Sequence, residues 1–288
     1  MRLGFAPITW NNEDLPAELA EPVAYTTVLD EVAATGYAAT ELGDGFLRDP
    51  VQLRAELARR TLEMPSAWCA LRPFEVPEEA DLHHVRELCT LLNGVGASFV
   101  NLADHGTPES LSLAGRAEGR HHSSSEWDQL VSRVLAAAAV AREFGLRPLF
   151  HAHAGTRVET RSETEEFLRR VPASEVNLVW DVGHAIYGGI DPIEVVRAHP
   201  QRIAYLHLKD VDASVLERLR RDRLGFTDGI RQRVFTELGR GCLDVPALLG
   251  ALRDIGYDGW LMVEQDSTWL PPAESARASR EYLRGLGL

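Results

Sequence analysis

NLVWDVGHAIYGGIDPIEVVRAHPQRIAYLHLKD, residues 177–210, decides how the chain folds. Two short apolar runs, 177–181 and 203–209, flank a segment of helical period at 192–198. That segment opens with Asp191-Pro192, an N-cap followed by a proline whose missing N–H costs nothing at a helix start. Strand, crossover helix and second strand make one parallel βαβ unit.

The same alternation runs along the chain. Strands are expected at 3–9, 38–42, 65–70, 98–103, 148–153, 177–181, 203–209 and 260–265. Amphipathic stretches lie between them at 23–35, 51–60, 78–92, 125–144, 161–170, 192–198 and 245–255, and 272–283 closes the chain. Eight strand-then-helix units describe an α/β protein of the (β/α)₈ TIM-barrel class, one domain over residues 1–288. The strands read as continuous apolar runs, as strands covered on both faces should. A doubly wound dinucleotide-binding sheet is the competitor, but no Gly-x-Gly-x-x-Gly follows the first strand. Two longer excursions, 106–124 and the arginine-rich 212–240, leave the C-terminal ends of strands, where a barrel builds its active-site mouth. The stretch 212–233 is also a candidate contact with a second subunit of a homo-oligomer.

Composition narrows the function. The 288 residues are 45% hydrophobic and carry a net charge of −13, with no basic stripe, which argues against a nucleic-acid binder. Cys69, Cys89 and Cys242 are far apart and odd in number, so they give neither a disulfide framework nor a thiolate zinc site. No apolar run reaches about 18 residues, and no basic segment precedes an apolar one at the N-terminus. A cytoplasmic protein without a membrane span is expected.

Polar residues gather at the expected strand ends: Trp10 and Asn12, Glu41, Asn101, Asp104-His105, His151 and His153, Asp181, His184, His207, Lys209, Asp210, and Glu264-Gln265-Asp266. A barrel would converge them. Imidazole and carboxylate without thiolate suit a borderline divalent ion, Mn²⁺, Co²⁺, Zn²⁺ or Fe²⁺. Asp181, His207 and Glu264 each follow an apolar strand directly. The fifth strand supplies the fourth ligand, His151 as the first polar residue or His153 on the same face by period two.

The stretches APITWNNEDLP (6–16), HAHAGTRVET (151–160), WDVGHA (180–185), HLKDV (207–211), FTELGRGCLD (235–244) and GWLMVEQD (259–266) resemble the xylose isomerase-like sugar isomerase/epimerase family of TIM barrels. Within it the likeness is greatest to the myo-inosose-2 dehydratase branch of inositol catabolism. The resemblance implies a divalent metal, manganese foremost, held by His151, Asp181, His207 and Glu264. It also implies a small polyol or sugar substrate whose ketone is converted to an enediolate, then dehydrated, isomerised or epimerised. This sequence departs from that branch where Thr9, Ala152 and Ala154 stand, in the loop Leu238-Gly-Arg-Gly241, and in a shorter segment after Glu264. The shorter segment after Glu264, and His151 where most of the wider family carries a glutamate, keep open a barrel that binds metal and sugar without catalysis.

Lys209 is the only lysine of the chain. Arginine stays protonated, whereas burial or a nearby metal can lower a lysine pKa, so Lys209 is a candidate for proton transfer, with a structural ion pair as the alternative. His184 and Glu159 are further catalytic candidates. Trp10, Asn12, Glu41, His153 and Asp210 are candidate substrate contacts. Arg240, between two glycines, leaves a phosphorylated substrate open.

Overall fold

The computed structural model describes residues 1–12, 14–15 and 22–288. Glu13 and Pro16 of the first motif stretch lie outside the described residues. The strands are β1 (Arg2–Phe5), β2 (Trp68–Leu71), β3 (Phe99–Asp104), β4 (Arg147–His151), β5 (Asn177–Asp181), β6 (Ile203–Leu208), β7 (Asp210–Val211), β8 (Phe235–Thr236) and β9 (Trp260–Val263). The helices are α1 (Tyr25–Ala34), α2 (Pro50–Arg59), α3 (Glu78–Val95), α4 (Pro108–Ser112), α5 (Ser124–Glu143), α6 (Arg161–Arg170), α7 (Val182–Tyr187), α8 (Pro192–Ala198), α9 (Ala213–Arg221), α10 (Phe226–Arg231), α11 (Val245–Asp254) and α12 (Pro272–Gly285).

A parallel sheet runs in the order β1-β9-β6-β5-β4-β3-β2. Its two ends meet through residues 38–40. Ala39 forms parallel bridges to Gly4 on one side and to Glu63 on the other, which closes the barrel. The second strand expected at 38–42 is thus shortened to one bridged position. The first ends at Phe5 rather than residue 9, because Pro7 opens a 3₁₀ turn over Pro7–Thr9. The antiparallel pair β7–β8, absent from the sequence expectation, ties the start of the 212–240 excursion to its end.

Several helices start where side chains satisfy their free N–H groups. Asp49, Asp191, Asp212 and Asp244 each accept from a first-turn amide, while Ser123 with Glu126 and Thr160 with Glu163 form capping boxes. None of the described helices is long and apolar enough to cross a membrane.

Inside the barrel, Ala6, Ala39, Phe99, Leu149, Val179, Tyr205, Trp260 and Met262 form one buried cluster, separate from the layer between sheet and helices. They are the inward-facing positions of their strands. Because strand side chains alternate faces, the next inward position is two residues on. For Ala39, Phe99, Leu149, Val179, Tyr205 and Met262, that step arrives at Glu41, Asn101, His151, Asp181, His207 and Glu264. An apolar plug therefore carries a polar layer on its C-terminal side.

Leu149 is fully buried in this plug. Leu149→Ala is expected to lower unfolding free energy by about 3 kcal/mol. A urea midpoint equal to that of the parent would show that the plug is not packed.

Candidate metal centre and cavity

The polar layer brings four atoms together. His207 Nδ1 lies 3.1 Å from His151 Nε2, 3.5 Å from Asp181 Oδ2 and 3.3 Å from Glu264 Oε2. His151 Nε2 is 3.6 Å from the same Asp181 oxygen. Donors held at roughly 2.0–2.2 Å around one ion stand about 3.0–3.5 Å from one another, so these spacings suit a single divalent cation. Asp181 is fixed by its other oxygen, which caps α7 by accepting from the His184 amide at 2.9 Å. Its inner Oδ2 is buried and has no hydrogen bond. Among the described residues, two groups of side chains have the ligand types and proximity to hold a metal: His151, Asp181 and His184, and Glu41, His207 and Glu264. The four convergent atoms take two members from each group.

His151, not His153, reaches this point. Strand β4 ends at His151, and the chain then turns, with the His153 amide donating to the Val158 carbonyl. The His153 ring consequently stacks against His184, ring centres 3.6 Å apart. Its Nδ1 lies 2.7 Å from the Ala154 carbonyl, so Nδ1 carries the hydrogen and Nε2 keeps the lone pair.

Electrostatics follow from burial and an excess of carboxylate. Burial opposes the imidazolium form at His151, His153 and His184 and holds all three below the usual histidine range. His207 goes the other way: burial lowers its pKa, but Glu264 and Glu41 outweigh burial and raise it well above the usual value. Glu41 is also buried, yet His207 and the Ser66 hydroxyl outweigh the desolvation and lower it to about 2. Its Oε1 faces His207 Nε2 at 3.2 Å and accepts from Ser66 Oγ and Asn101 Nδ2. Glu41 therefore fixes the His207 ring with Nδ1 turned inward. Asp266 is pushed up to about 7 by burial, with Glu264 and Asp181 adding to it and Lys209 opposing.

Lys209 makes the structural ion pairs that the sequence left open beside proton transfer. Burial alone would lower its pKa, but Asp181, Asp266 and Glu264 together raise it. Its ammonium stands 2.7 Å from Glu264 Oε1, 2.7 Å from Asp266 Oδ1 and 3.0 Å from His184 Nε2. These contacts hold it as a cation among three side chains.

Beside the four atoms opens a cavity of about 260 Å³, lined by Glu41, Trp68, His105, His151, His153, His207, Phe226, Glu264 and Asp266 among others. Trp68 sets its ring edge-on to both His151 and His153, 5.1 and 5.4 Å away between centres, and is 37% exposed. Asp14, Asp44 and Asp104 add carboxylates to the wall, and no lysine or arginine is among the described lining residues. Asp104 was among the expected strand-end residues, whereas Trp68, Phe226, Asp14 and Asp44 were missed as wall residues. Their positions depend on how strand ends and excursions fold over the mouth, which leaves no local spacing signal.

Several expected site residues serve the frame instead. Trp10 is buried, donates to Glu31 and packs edge-on against Phe5. Asn12 donates to the Asp266 carbonyl and accepts from the Asp14 amide, so it positions the cavity edge from behind. Asp210 points away from the cavity: its carboxylate accepts from the amides of Val211, Gly239, Gly241 and Leu243 and anchors that loop. A Cβ on Gly241 would stand 2.2 Å from Asp210 Oδ1, which explains the glycine. Arg240 faces Glu237 on this loop and is not among the cavity-lining residues, so no phosphate contact arises from it. Glu159 also lies outside the lining, and accepts from Gly115 N at 2.6 Å and Gly155 N at 2.8 Å.

The xylose isomerase-like TIM-barrel family model matches residues 29–286. Among curated proteins, an inosose dehydratase of Geobacillus kaustophilus is 34% identical over 294 residues, covering 98% of this chain and 93% of its own length. An inosose dehydratase of Lacticaseibacillus casei is 32% identical over 98% of this chain and 96% of its own length. Among solved structures, the probable 3-DHS dehydratase AsbF of Bacillus anthracis superposes with a TM-score of 0.75 at 15% identity, covering 99% of both chains. An L-ribulose 3-epimerase gives 0.72 at 16% identity, covering 100% of this chain and 94% of its own. At such identities the structural likeness speaks for the barrel alone.

The burial of Glu159 gives a pH test. Burial raises its pKa to about 7 from an ordinary 4.5, with the Gly155 and Gly115 amides opposing. A raised carboxyl pKa means the folded state favours the proton. This contribution is whole below the unfolded value of 4.5 and is lost as pH rises through 7. Between those limits it amounts to about 3 kcal/mol. Glu159→Gln should flatten this fall in chemical-denaturation curves whatever it does to absolute stability. An unchanged slope would remove Glu159 as the titrating group.

Proposed function

Because the chain belongs to the xylose isomerase-like TIM-barrel family, we propose that it dehydrates a keto-inositol or related cyclic keto-polyol through an enediolate, using one divalent metal ion. It is an enzyme of the lyase or isomerase/epimerase kind that these comparisons describe. The observation that carries the metal reading is the meeting of His151 Nε2, Asp181 Oδ2, His207 Nδ1 and Glu264 Oε2 around a buried carboxylate oxygen without a hydrogen bond. The curated inosose dehydratases support dehydration over epimerisation.

These four residues would hold the ion. Two imidazoles with two carboxylates fit Mn²⁺, with Co²⁺, Zn²⁺ and Fe²⁺ as the other matches. When bound, it supplies Lewis-acid polarisation of the substrate ketone and so acidifies the neighbouring C–H. Glu41 holds the His207 ring in the ligating orientation. Asp14, Asp44 and Asp104 accept substrate hydroxyls, and the Trp68 ring covers an apolar face of the carbocycle. His153 lines the cavity with its lone pair at Nε2 and takes the α-proton. The resulting imidazolium gives that proton to the departing β-hydroxyl, water leaves, and the neutral ring is restored. Lys209 and His184 act from behind this surface, holding Glu264 and Asp266 in place.

Metal-loaded protein incubated with a keto-inositol should form a dione that absorbs in the ultraviolet, and chelator should abolish its formation. Product of unchanged mass with exchanged α-hydrogen would instead mark an epimerase or isomerase. Glu41→Gln should weaken metal binding or lower turnover about 10- to 100-fold, measured by Mn²⁺ titration and initial rates. Parent-like values for both would remove Glu41 from the centre.

A further inference from the structure

Lys209 lies one residue beyond β6 and, by the two-residue period, on the same inward face as His207. It is 1% exposed. Its stem has a built channel: a Cβ on Gly183 would come within 2.5 Å of Lys209 Cγ and 2.7 Å of its Cβ and Cδ. The ring of Phe235 covers the ammonium, 4.6 Å from Nζ to the ring centre.

The ammonium sits among four acceptors. Glu264 Oε1 and Asp266 Oδ1 are at 2.7 Å, His184 Nε2 at 3.0 Å and Asp181 Oδ2 at 3.4 Å. Two of these side chains are shared with the neighbouring centre. Glu264 turns Oε2 to His207 and Oε1 to Lys209, and Asp181 Oδ2 faces His151, His207 and Lys209 together. Carboxylates that span two adjacent cation positions are the arrangement of two-metal sites, whose ions stand about 3.5–4 Å apart. Three carboxylates and an imidazole around the second position form a donor set for the same class of ion as the first.

We propose that the Lys209 ammonium is a resident cation in the second position of a two-cation centre, and that it restricts the chain to a single divalent ion. The inference rests on the metal reading given above. A covalently tethered charge cannot dissociate or be exchanged. It supplies one positive charge where a divalent ion would supply two, leaving Glu264 and Asp181 more electron-rich toward the ion they bind. The sole lysine is thereby a specificity-determining residue for metal count. Arginine could not replace it: a planar guanidinium needs room that Gly183 and Phe235 do not leave.

The test is metal stoichiometry with electron paramagnetic resonance, on parent and Lys209→Ala loaded with Mn²⁺ and freed of excess. The parent should hold one Mn²⁺ per chain with an uncoupled six-line signal. Lys209→Ala should hold two, with the multiline signal of an exchange-coupled pair and a larger rise in melting temperature on adding Mn²⁺. Two ions in the parent, or one in a folded Lys209→Ala, overturns the proposal. So does a variant that Mn²⁺ cannot restore to a folded state, because a divalent ion then cannot stand where the ammonium stood. No ion in the parent is a different result, and removes the metal reading itself.

Discussion

A closed parallel barrel has one inside, and each strand presents it with every second residue. Everything at the centre depends on that constraint. Six strand positions put an apolar side chain into the plug and a polar one directly above it, from Ala39 with Glu41 to Met262 with Glu264. The plug keeps water from the barrel interior beneath. Side chains distant in sequence are thereby brought within hydrogen-bonding range.

Placing that many charges on an apolar floor is costly, since each buried ion loses several kcal/mol of hydration. The arrangement offsets the cost by contact. Lys209 touches three carboxylates, and His207 touches Glu41 and Glu264. Negative charge still exceeds positive and drives His207 toward its charged form, while burial, with that charge adding to it, drives Asp266 toward its neutral one. A carboxylate-rich centre of this kind attracts a cation before any substrate arrives.

Much of this was legible in the residues. The alternation of strand and helix predicted the barrel, and apolar runs ending in Asp181, His207 and Glu264 marked the convergent side chains, because strand direction is written in hydrophobic periodicity. Less was legible beyond the strand ends. His153 shares a period with His151, yet β4 stops between them and the ring goes elsewhere. Asp210 follows His207 and Lys209 in sequence but falls on the opposite face, where four amides claim it. Lys209 was singled out by its rarity. Its protonation depends on Asp181, Glu264 and Asp266, and only folding brings the three around it. The strand expected at 38–42 shows the converse: it is reduced to the Ala39 bridges, because closure needs no more.

The Glu159 carboxylate joins two loops that a sequence treats as independent. One oxygen holds Gly115, after β3, and the other holds Gly155, after β4. The rim over the cavity is consequently not modular on this side. Grafting either loop from a relative without its counterpart would leave a main-chain amide without its partner, so variation in the two should be inherited as a pair.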